Sequence, residues 1–254
     1  IDQINLSDRF QLLLGARYDH IEFDNRVSGI ERTNNELSPM VGAVFSATDS
    51  LTFYANAGEA FALPSTFVID DTRKPEESRQ VEVGAKKSFR GGRIHSSLAA
   101  FRIDRENIAI PDDFGIPRQT GDQRSDGLEL ELFGTLGKGI RGNFTYAYTD
   151  SELTEFTETV LVGFFPPTFA TVDRSGNSSP FAPEHLATLW LSKTFDNGFG
   201  IAGGGRYVSD QFIAEDNAFE IGSYVTFDAA VFYDLSAWRL QLSLQNLTDE
   251  EYFT

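Results

Sequence analysis

The sequence predicts an all-β fold, namely a portion of an antiparallel transmembrane β-barrel with about 11–12 meandering strands. Three observations lead to this fold class. Long segments alternate apolar and polar residues with period two, and the connections between them alternate between short turns and long loops. The chain also has 23 Phe and 8 Tyr against a single Met, although its mean hydropathy is only -0.25.

The clearest hairpin spans residues 121–150. Leu128, Leu130 and Leu132 alternate with Glu129 and Glu131, a short turn follows at residues 136–139, and the return segment alternates again. Each arm offers about twelve residues, more than the five or six of an ordinary strand. A membrane-spanning strand needs about nine to eleven residues. The hairpin therefore predicts two strands that cross a bilayer.

The first third of the chain repeats this pattern. Residues 1–6 read as a strand and residues 10–19 as the next, until the alternation changes parity near His20. Such a change predicts a β-bulge or the exit of the strand from the bilayer. A polar stretch at residues 25–35 leads back, and two further strands are expected at residues 37–47 and 51–61.

The rest of the chain continues in order. After a loop at 62–74, strands are expected near 80–89, 94–110, 121–136, 140–156, 184–195, 199–213, 223–235 and 238–245. Residues 112–120 and 214–222 read as loops, and residues 157–183 as the longest irregular insertion. Asp196-Asn197-Gly198 is the strongest short-turn signal. Barrels of the outer membrane carry short turns on the periplasmic side and long loops outside, which is the alternation seen here.

Composition limits the functional classes. The net charge of -17 argues against nucleic acid as a partner, because phosphates attract Lys and Arg. It also argues against a peripheral protein held electrostatically on anionic lipid. The absence of cysteine excludes disulfide scaffolds and thiolate metal sites. No apolar run reaches the roughly 18 residues of a transmembrane helix, and we expect any signal peptide to lie outside this sequence.

Three segments carry a family resemblance. Residues 74–84 (KPEESRQVEVG), 121–131 (GDQRSDGLELE) and 246–252 (NLTDEEY) resemble barrel motifs of TonB-dependent outer-membrane receptors, most closely the ferric-siderophore branch. Residues 146–150 (YAYTD) and 183–190 also match in type and order. The motifs themselves read as architectural. We expect Glu76, Glu82, Glu129 and Glu131 to wet the lumen and pair with cations such as Arg124. Gly121 and Gly127 are expected to permit close backbone approach or a bulge.

The resemblance implies a monomeric barrel of 22 strands in the outer membrane of a Gram-negative bacterium. It implies an N-terminal plug and the import of a ferric siderophore with energy passed from the TonB complex. On this basis residues 1–254 form one partial receptor barrel domain, in contact with outer-membrane lipid. The plug, the energy-coupling box and the last strand are absent from the sequence, so we expect an open sheet or partial barrel that does not transport alone.

The resemblance also implies a binding function and no catalytic residues. Loop aromatic rings suit planar or hydrophobic chelators, and Arg suits an anionic complex. The candidate ligand-binding residues are Phe67, Phe114, Arg118, Phe164, Phe165, Phe169, Arg174 and Phe181. The alternative is that these Phe residues pack the loops against one another. Residues expected to anchor the barrel in the membrane interface are Tyr18, Tyr54, Tyr146, Tyr148, Trp190, Tyr207, Tyr224, Tyr233 and Trp238.

Enzymatic and metal chemistry have weak signals. Glu129 and Glu131 could flank a glycosidic bond, but nothing nearby predicts a closed pocket, and the three histidines are scattered. We therefore expect no enzyme, no protein metal site and no cofactor. The open alternatives are a passive porin or structural outer-membrane barrel, a receptor for haem, cobalamin or another substrate, and a secreted lectin-like β-protein.

Overall fold

A computed structural model describes residues 1–25, 29–63, 74–111 and 117–252. Across these ranges the secondary structure consists of strands, turns and bends. The strands are β1 (Asp2–Ser7), β2 (Phe10–Asn25), β3 (Ile30–Thr48), β4 (Leu51–Ala62), β5 (Glu76–Phe89), β6 (Ile94–Pro111), β7 (Pro117–Gly137), β8 (Ile140–Phe164), β9 (Pro167–Asp173), β10 (His185–Thr194), β11 (Phe199–Val208), β12 (Gln211–Phe212), β13 (Glu220–Ile221), β14 (Tyr224–Leu235) and β15 (Trp238–Leu244).

Twelve of these strands form one antiparallel meander. Their order in the sheet is β1-β2-β3-β4-β5-β6-β7-β8-β10-β11-β14-β15, while β9 pairs with the upper part of β8 and β12 pairs with β13. The path ends at β1 and β15, so the sheet is open. This confirms the predicted fold class, an all-β partial barrel with about a dozen meandering strands.

The connections confirm the predicted alternation. Six short turns join β1 to β2, β3 to β4, β5 to β6, β7 to β8, β10 to β11 and β14 to β15, all at one end of the sheet. We call this the turn end and the opposite end the loop end. Since outer-membrane barrels place short turns in the periplasm, the loop end corresponds to the outside.

Several strands extend further into the loop end than the sequence predicts, whereas β11 ends at Val208 and not near residue 213. Residues 157–173 are not part of an irregular insertion, because Thr157 pairs with Asp173 and Leu161 with Phe169 in the β8–β9 hairpin. Residues 174–183 do lie outside the strands, as expected. Strand β3 already begins at Ile30, and β7 at Pro117. Of the two explanations offered for the change of parity near His20, the bulge is wrong, since β2 and β3 stay in register from Phe10 to Asn25. Where a strand extends beyond the bilayer into water, polar side chains are tolerated on both of its faces. The polarity of a segment was therefore a poor guide to where its strand ends.

The two faces of the sheet differ sharply. Directly paired residues share a face, and the row Leu12, Ala43, Ala55, Val83, Ala100 and Leu128 runs through six strands. Large side chains on this apolar face stay exposed, including Leu98 at 53% and Leu128 at 49%. The polar face carries the parallel row Lys86, Ser97, Glu131, Thr145, Thr188, Arg206 and Thr226. An apolar outer and polar inner face is the arrangement of a membrane barrel wall.

A row of charges bounds the apolar face on the loop side. Its members alternate in sign and are paired strand to strand: Glu59, Arg79, Asp104, Arg124 and Glu152. Arg124 Nε lies 2.7 Å from Asp104 Oδ1, and Arg79 Nε lies 3.4 Å from Glu59 Oε1. The row marks where the apolar band ends. It also corrects the expectation that Arg124 pairs with carboxylates of the polar face, because Arg124 lies on the opposite side.

Aromatic rings on the polar face lie over glycines of the neighbouring strand. The directly paired couples are Tyr54 with Gly84, Phe101 with Gly127, Phe156 with Gly121, Trp190 with Gly204 and Phe232 with Gly200. A Cβ atom at any of these glycines would collide with the opposing ring. The close approach expected at Gly121 and Gly127 is therefore confirmed. These pairs let large rings lie along the wall.

Within the residues that the structure describes, no α-helix has the length and hydrophobicity needed to cross a membrane.

A pair of neighbouring substitutions tests the two faces. Ala55 lies on the apolar face and Asn56 on the polar face of β4, where Asn56 borders an open groove of about 650 Å³. We expect Ala55→Arg to cost roughly 2–4 kcal/mol, the range for Arg near the bilayer midplane. Asn56→Arg should cost much less. The yield of folded protein in the outer membrane measures the difference, and equal losses would contradict the face assignment.

The glycine and aromatic couples give a second prediction. A Cβ at Gly127 would collide with the Phe101 ring and lie 2.7 Å from the carbonyl oxygen of Tyr148. Gly127→Ala should therefore lower the free energy of unfolding by about 1–3 kcal/mol, as overpacking does. Gly42→Ala is the matched control, since its nearest neighbour would lie at 3.7 Å. Urea unfolding followed by intrinsic fluorescence measures both, and a harmless Gly127→Ala would contradict the packing account.

Candidate functional site

The loop end of the polar face carries a continuous chain of hydrogen bonds. Arg105 Nη2 donates to Glu76 Oε1 at 2.6 Å, and Arg105 Nη1 donates to Gln123 Oε1 at 3.0 Å. Gln123 Nε2 donates to Ser151 Oγ at 2.8 Å, and Ser151 Oγ donates to Ser179 Oγ at 3.0 Å. Five segments of chain, from β5 to the segment after β9, are thereby joined across the mouth of the wall.

This chain of bonds is positioned by long strands. Strands β6, β7 and β8 rise beyond the charge row, so their polar-face residues line the mouth above the apolar band. Leu153 and Phe156 of β8 are buried there. Burial is rare on this open sheet, so the mouth beside β8 is one of its well-packed regions. Glu76 pairs with Arg105, as an architectural role predicts, and Ser151 and Ser179 are buried with partners.

The structure does not describe the side chains of three predicted ligand-binding residues, namely Phe67, Phe114 and Arg118. Phe67 and Phe114 lie outside the residues that the structure describes. The backbone of Arg118 pairs with that of Ile110 in the β6–β7 hairpin, so Arg118 lies on a strand and not in the predicted loop at 112–120. Their part in ligand binding stays a prediction.

Three other candidates come together at the tip of the β8–β9 hairpin. Phe164 is 75% exposed and Phe165 is 99% exposed, and Phe169 lies on the returning arm opposite Leu161. Residues 160–172 contain no charged side chain. The tip is therefore an exposed apolar surface at the outermost point of this hairpin. Exposed aromatic clusters of this kind are typical of sites that bind a partner or ligand.

Arg174 and Phe181 lie lower, away from this tip. Arg174 Nε is 3.2 Å from Glu158 Oε2, and both side chains are mostly buried. That ion pair satisfies much of the positive charge that an anionic chelate would need. Phe181 is exposed, and its backbone N–H donates to Phe212 O at 2.8 Å. The structure thus separates the candidates into two groups. Phe164, Phe165 and Phe169 form the apolar tip of the hairpin, and Arg174, whose charge is paired with Glu158, lies with Phe181 nearer the foot of the hairpin.

One cationic residue of the polar face was missed. Arg206 is exposed between Thr188 and Thr226, and within the described ranges no hydrogen bond or ion pair to its guanidinium is found. Thr188 Oγ1 lies 2.5 Å from Thr145 Oγ1 in the same row. Hydroxyls beside a free guanidinium suit an anion. A signal for Arg206 was present in the sequence. Tyr207 next to it was expected on the apolar face, so the period-two alternation of β11 predicts Arg206 on the polar face.

The predicted interface aromatics divide between the two faces. Tyr18, Tyr146, Tyr148, Tyr207, Tyr233 and Trp238 lie on the apolar face, as membrane anchors do. For Tyr54, Trp190 and Tyr224 the expectation is wrong, because they lie on the polar face. Tyr54 and Trp190 cover Gly84 and Gly204, and the Tyr224 ring stacks on Tyr252 at 4.7 Å.

Metal and nucleotide chemistry gain no support from the geometry. No group of three or more His, Cys, Asp or Glu side chains that could hold a metal ion occurs within residues 1–25, 29–63, 74–111 and 117–252. Residues 198–203 match G-x-G-x-x-G, but they form a turn and the start of β11. A pyrophosphate site needs a helix N-terminus at that point.

The base of the β8–β9 hairpin contains a perturbed carboxyl group. Ser175 N–H donates to Asp173 Oδ1 at 2.9 Å, and the Ser175 hydroxyl and this N–H hold the pKa of Asp173 below its ordinary value. A carboxyl group with a lowered pKa stabilises the fold above its unfolded pKa. That contribution is lost as the pH falls through the folded pKa.

Removing the hydroxyl should reverse part of this shift. We expect Ser175→Ala to raise the pKa of Asp173 towards the ordinary value, because the side-chain hydrogen bond is the larger cause. The turn should then lose its stabilisation at a higher pH than in the parent. A carbon-13 titration of the Asp173 carboxyl measures the shift. Ser96→Ala, on β6, is the control, and an unchanged titration in Ser175→Ala would contradict the assignment.

Comparison with known proteins gives consistent matches. The family model "TonB dependent receptor-like, beta-barrel" matches residues 1–247. The chain is 28% identical to the metal-pseudopaline receptor CntO of Pseudomonas aeruginosa, over 99% of this chain and 36% of that protein. It is 28% identical to the ferrioxamine B receptor of Salmonella typhimurium, over 96% of this chain and 35% of that protein. The chain thus spans about a third of the length of these relatives.

Among solved structures, the siderophore receptor PiuA from Acinetobacter baumannii has the same fold. It superimposes with a TM-score of 0.82 at 23% sequence identity, and the match covers 99% of this chain and 38% of that chain. The match extends over β1 to β15, so the meander, its short turns and its long loop-end strands belong to a known barrel architecture.

Proposed function

We propose that this chain, which belongs to the TonB-dependent receptor-like β-barrel family, forms part of the barrel wall of a receptor that imports a ferric siderophore. Members of this family lie in the outer membrane of Gram-negative bacteria. The observation that carries this proposal is the exposed aromatic tip at the loop end of an apolar-outside, polar-inside sheet. The names of the relatives, a metal-pseudopaline receptor and a ferrioxamine B receptor, support the substrate class.

The proposed mechanism is binding and passage, without catalysis. A siderophore already surrounds its iron, so no protein ligand to the metal is needed. Phe164 and Phe165 offer rings to the apolar parts of the chelator. Arg206, further down the polar face, offers a charge to an anionic complex on its way inward. The plug and the TonB complex, which the family uses to couple energy to passage, are proposed partners outside this chain.

A transport assay tests the proposal. The full-length receptor that carries this barrel segment is expressed in a Gram-negative strain lacking its own siderophore receptors, and uptake of radioactive iron is measured for a panel of ferric siderophores. We expect saturable uptake of at least one chelate that stops when TonB is deleted. Uptake that is non-saturable and indifferent to TonB would overturn the proposal in favour of a passive porin.

The candidate binding residues give a specific prediction. If Phe165 is a hot spot of the site, Phe165→Ala should raise the dissociation constant of the transported ferric chelate about tenfold or more, because truncating a hot-spot side chain costs about 2 kcal/mol. Arg118→Ala should weaken binding too, and Arg174→Ala less, since Arg174 is already paired with Glu158.

Phe89→Ala is the matched control for these variants. Phe89 is an exposed Phe at the turn end of β5, beneath Lys87 Nζ at 5.1 Å from its ring centroid, and a chelate added from outside does not meet it first. Equilibrium binding to purified receptor measures all four variants. Unchanged affinity in Phe165→Ala, Arg118→Ala and Arg174→Ala together would remove the loop-end site.

A further inference from the structure

Two neighbouring connections at the loop end are joined by side-chain amides. Asn177 Nδ2 donates to Glu215 O at 2.8 Å. Ser178 N–H donates to Asn217 Oδ1 at 2.8 Å, and Asn217 Nδ2 donates to Ser178 O at 2.9 Å. The Asn217 amide therefore bonds both polar groups of the Ser178 backbone, as a neighbouring strand would. We call these contacts the amide seam.

One side of the seam is anchored to β8. Leu153 N–H donates to Asn177 O at 2.8 Å, and Ser179 N–H donates to Ser151 O at 2.8 Å. These bonds continue the register of the β8–β9 hairpin, in which Thr157 pairs with Asp173. The segment at residues 177–179 thus belongs to the wall beside β8.

The other side of the seam is held by its own turn. Asn217 has a φ of 52°, a left-handed conformation in which Asn is enriched. Its backbone N–H donates to Ala214 O at 3.1 Å, and its Nδ2 also reaches Ala214 O at 3.2 Å. The side chain is therefore fixed before it meets Ser178. This arrangement explains why Asn, which has both a donor and an acceptor, stands at this position.

The seam lies where regular pairing stops. Strand β10 begins at His185 and β11 ends at Val208, and the last bond between them runs from Ser209 N–H to His185 O at 2.9 Å. Above it, Phe181 N–H donates to Phe212 O at 2.8 Å, and the seam follows. Without these contacts a gap would open between two connections of the wall. Ser209 lies beneath them and is only 4% exposed.

We propose that Asn217 is a positioning residue that closes the wall laterally above β10 and β11 and joins the β8–β9 hairpin to the β11–β14 connection as one rigid body. A solute then reaches the barrel from its open end and not between these two connections. Arg174 and Phe181 keep fixed positions at the mouth. The inference rests on the proposed function only in taking the loop end as the side of ligand entry.

Amide hydrogen exchange tests the rigid body in the full-length receptor. Asn217→Ala removes both bonds to Ser178, and we expect the Ser178 amide to exchange at least tenfold faster. Asn217→Asp keeps the acceptor for Ser178 N–H and should largely restore protection of that amide. Asp216→Ala is the matched control, because Asp216 Oδ1 accepts from Ala218 N–H within its own turn and no bond to Ser178 is found among the described residues. Unchanged exchange in Asn217→Ala would overturn the seam.

Thiol labelling tests the lateral closure. The chain has no cysteine, so Ser209→Cys places a single thiol of this segment beneath the seam. A membrane-impermeant maleimide should label this thiol slowly in the Ser209→Cys variant. Adding Asn217→Ala should make labelling at least tenfold faster, and adding Asp216→Ala should leave the labelling rate unchanged. The receptor without Ser209→Cys gives the background. Equally fast labelling in all three would show an open wall and overturn the closure.

Neither measurement uses a ligand. A receptor that imports no ferric chelate would therefore refute the proposed function while exchange and labelling still decide on the seam. If Asn217→Ala fails to fold, Asn177→Ala removes the bond to Glu215 and leaves the bonds between Asn217 and Ser178 in place. The Ser178 amide should then exchange faster than in the receptor without the substitution, though less than expected for Asn217→Ala, and unchanged exchange would count against the two connections forming one rigid body.

Discussion

Continuous strand pairing is the constraint on which the rest of the structure depends. In hydrocarbon every backbone N–H and C=O must be satisfied inside the protein, and an open loop at membrane depth would leave such groups unpaired. The sheet meets this demand with unbroken registers, such as the sixteen paired positions from Phe10↔Phe45 to Asn25↔Ile30. Once register is fixed, so is the face of each side chain. The apolar band, the charge row and the polar lumen all follow from it.

The same constraint explains what the sequence could predict. Alternation in residues 128–132 had to place Leu on one face and Glu on the other, and the structure does so. Asp196-Asn197-Gly198 had to turn tightly, because Gly198 has a φ of 83° that only glycine adopts readily. Strand number and the segregation of short turns to one end were therefore predictable. These features depend on local periodicity and turn chemistry alone.

Features that depend on a neighbouring strand were not predictable. Tyr54 and Trp190 were expected at the membrane interface, yet they lie on the polar face over glycines that only the register reveals. The NLTDEEY motif reads as architectural in the sequence, but the residues that it contacts cannot be predicted from it. In the structure Asn246 N–H donates to Asp228 Oδ1 at 2.8 Å, and Asn246 Oδ1 accepts from Glu250 N–H at 3.0 Å. The motif thus pins the chain beyond β15 to β14.

Ligand binding at the loop end is the central claim, and a fluorescence titration tests it most directly. Trp190 lies on the polar face and Trp238 on the apolar face at the turn end, so the full-length receptor in detergent carries a reporter on the inner wall. Its tryptophan fluorescence is titrated with ferric siderophores, haem and cobalamin. The account predicts saturable quenching by one ferric chelate at submicromolar concentration. No response to any of them, together with ion conductance in planar bilayers, would contradict it.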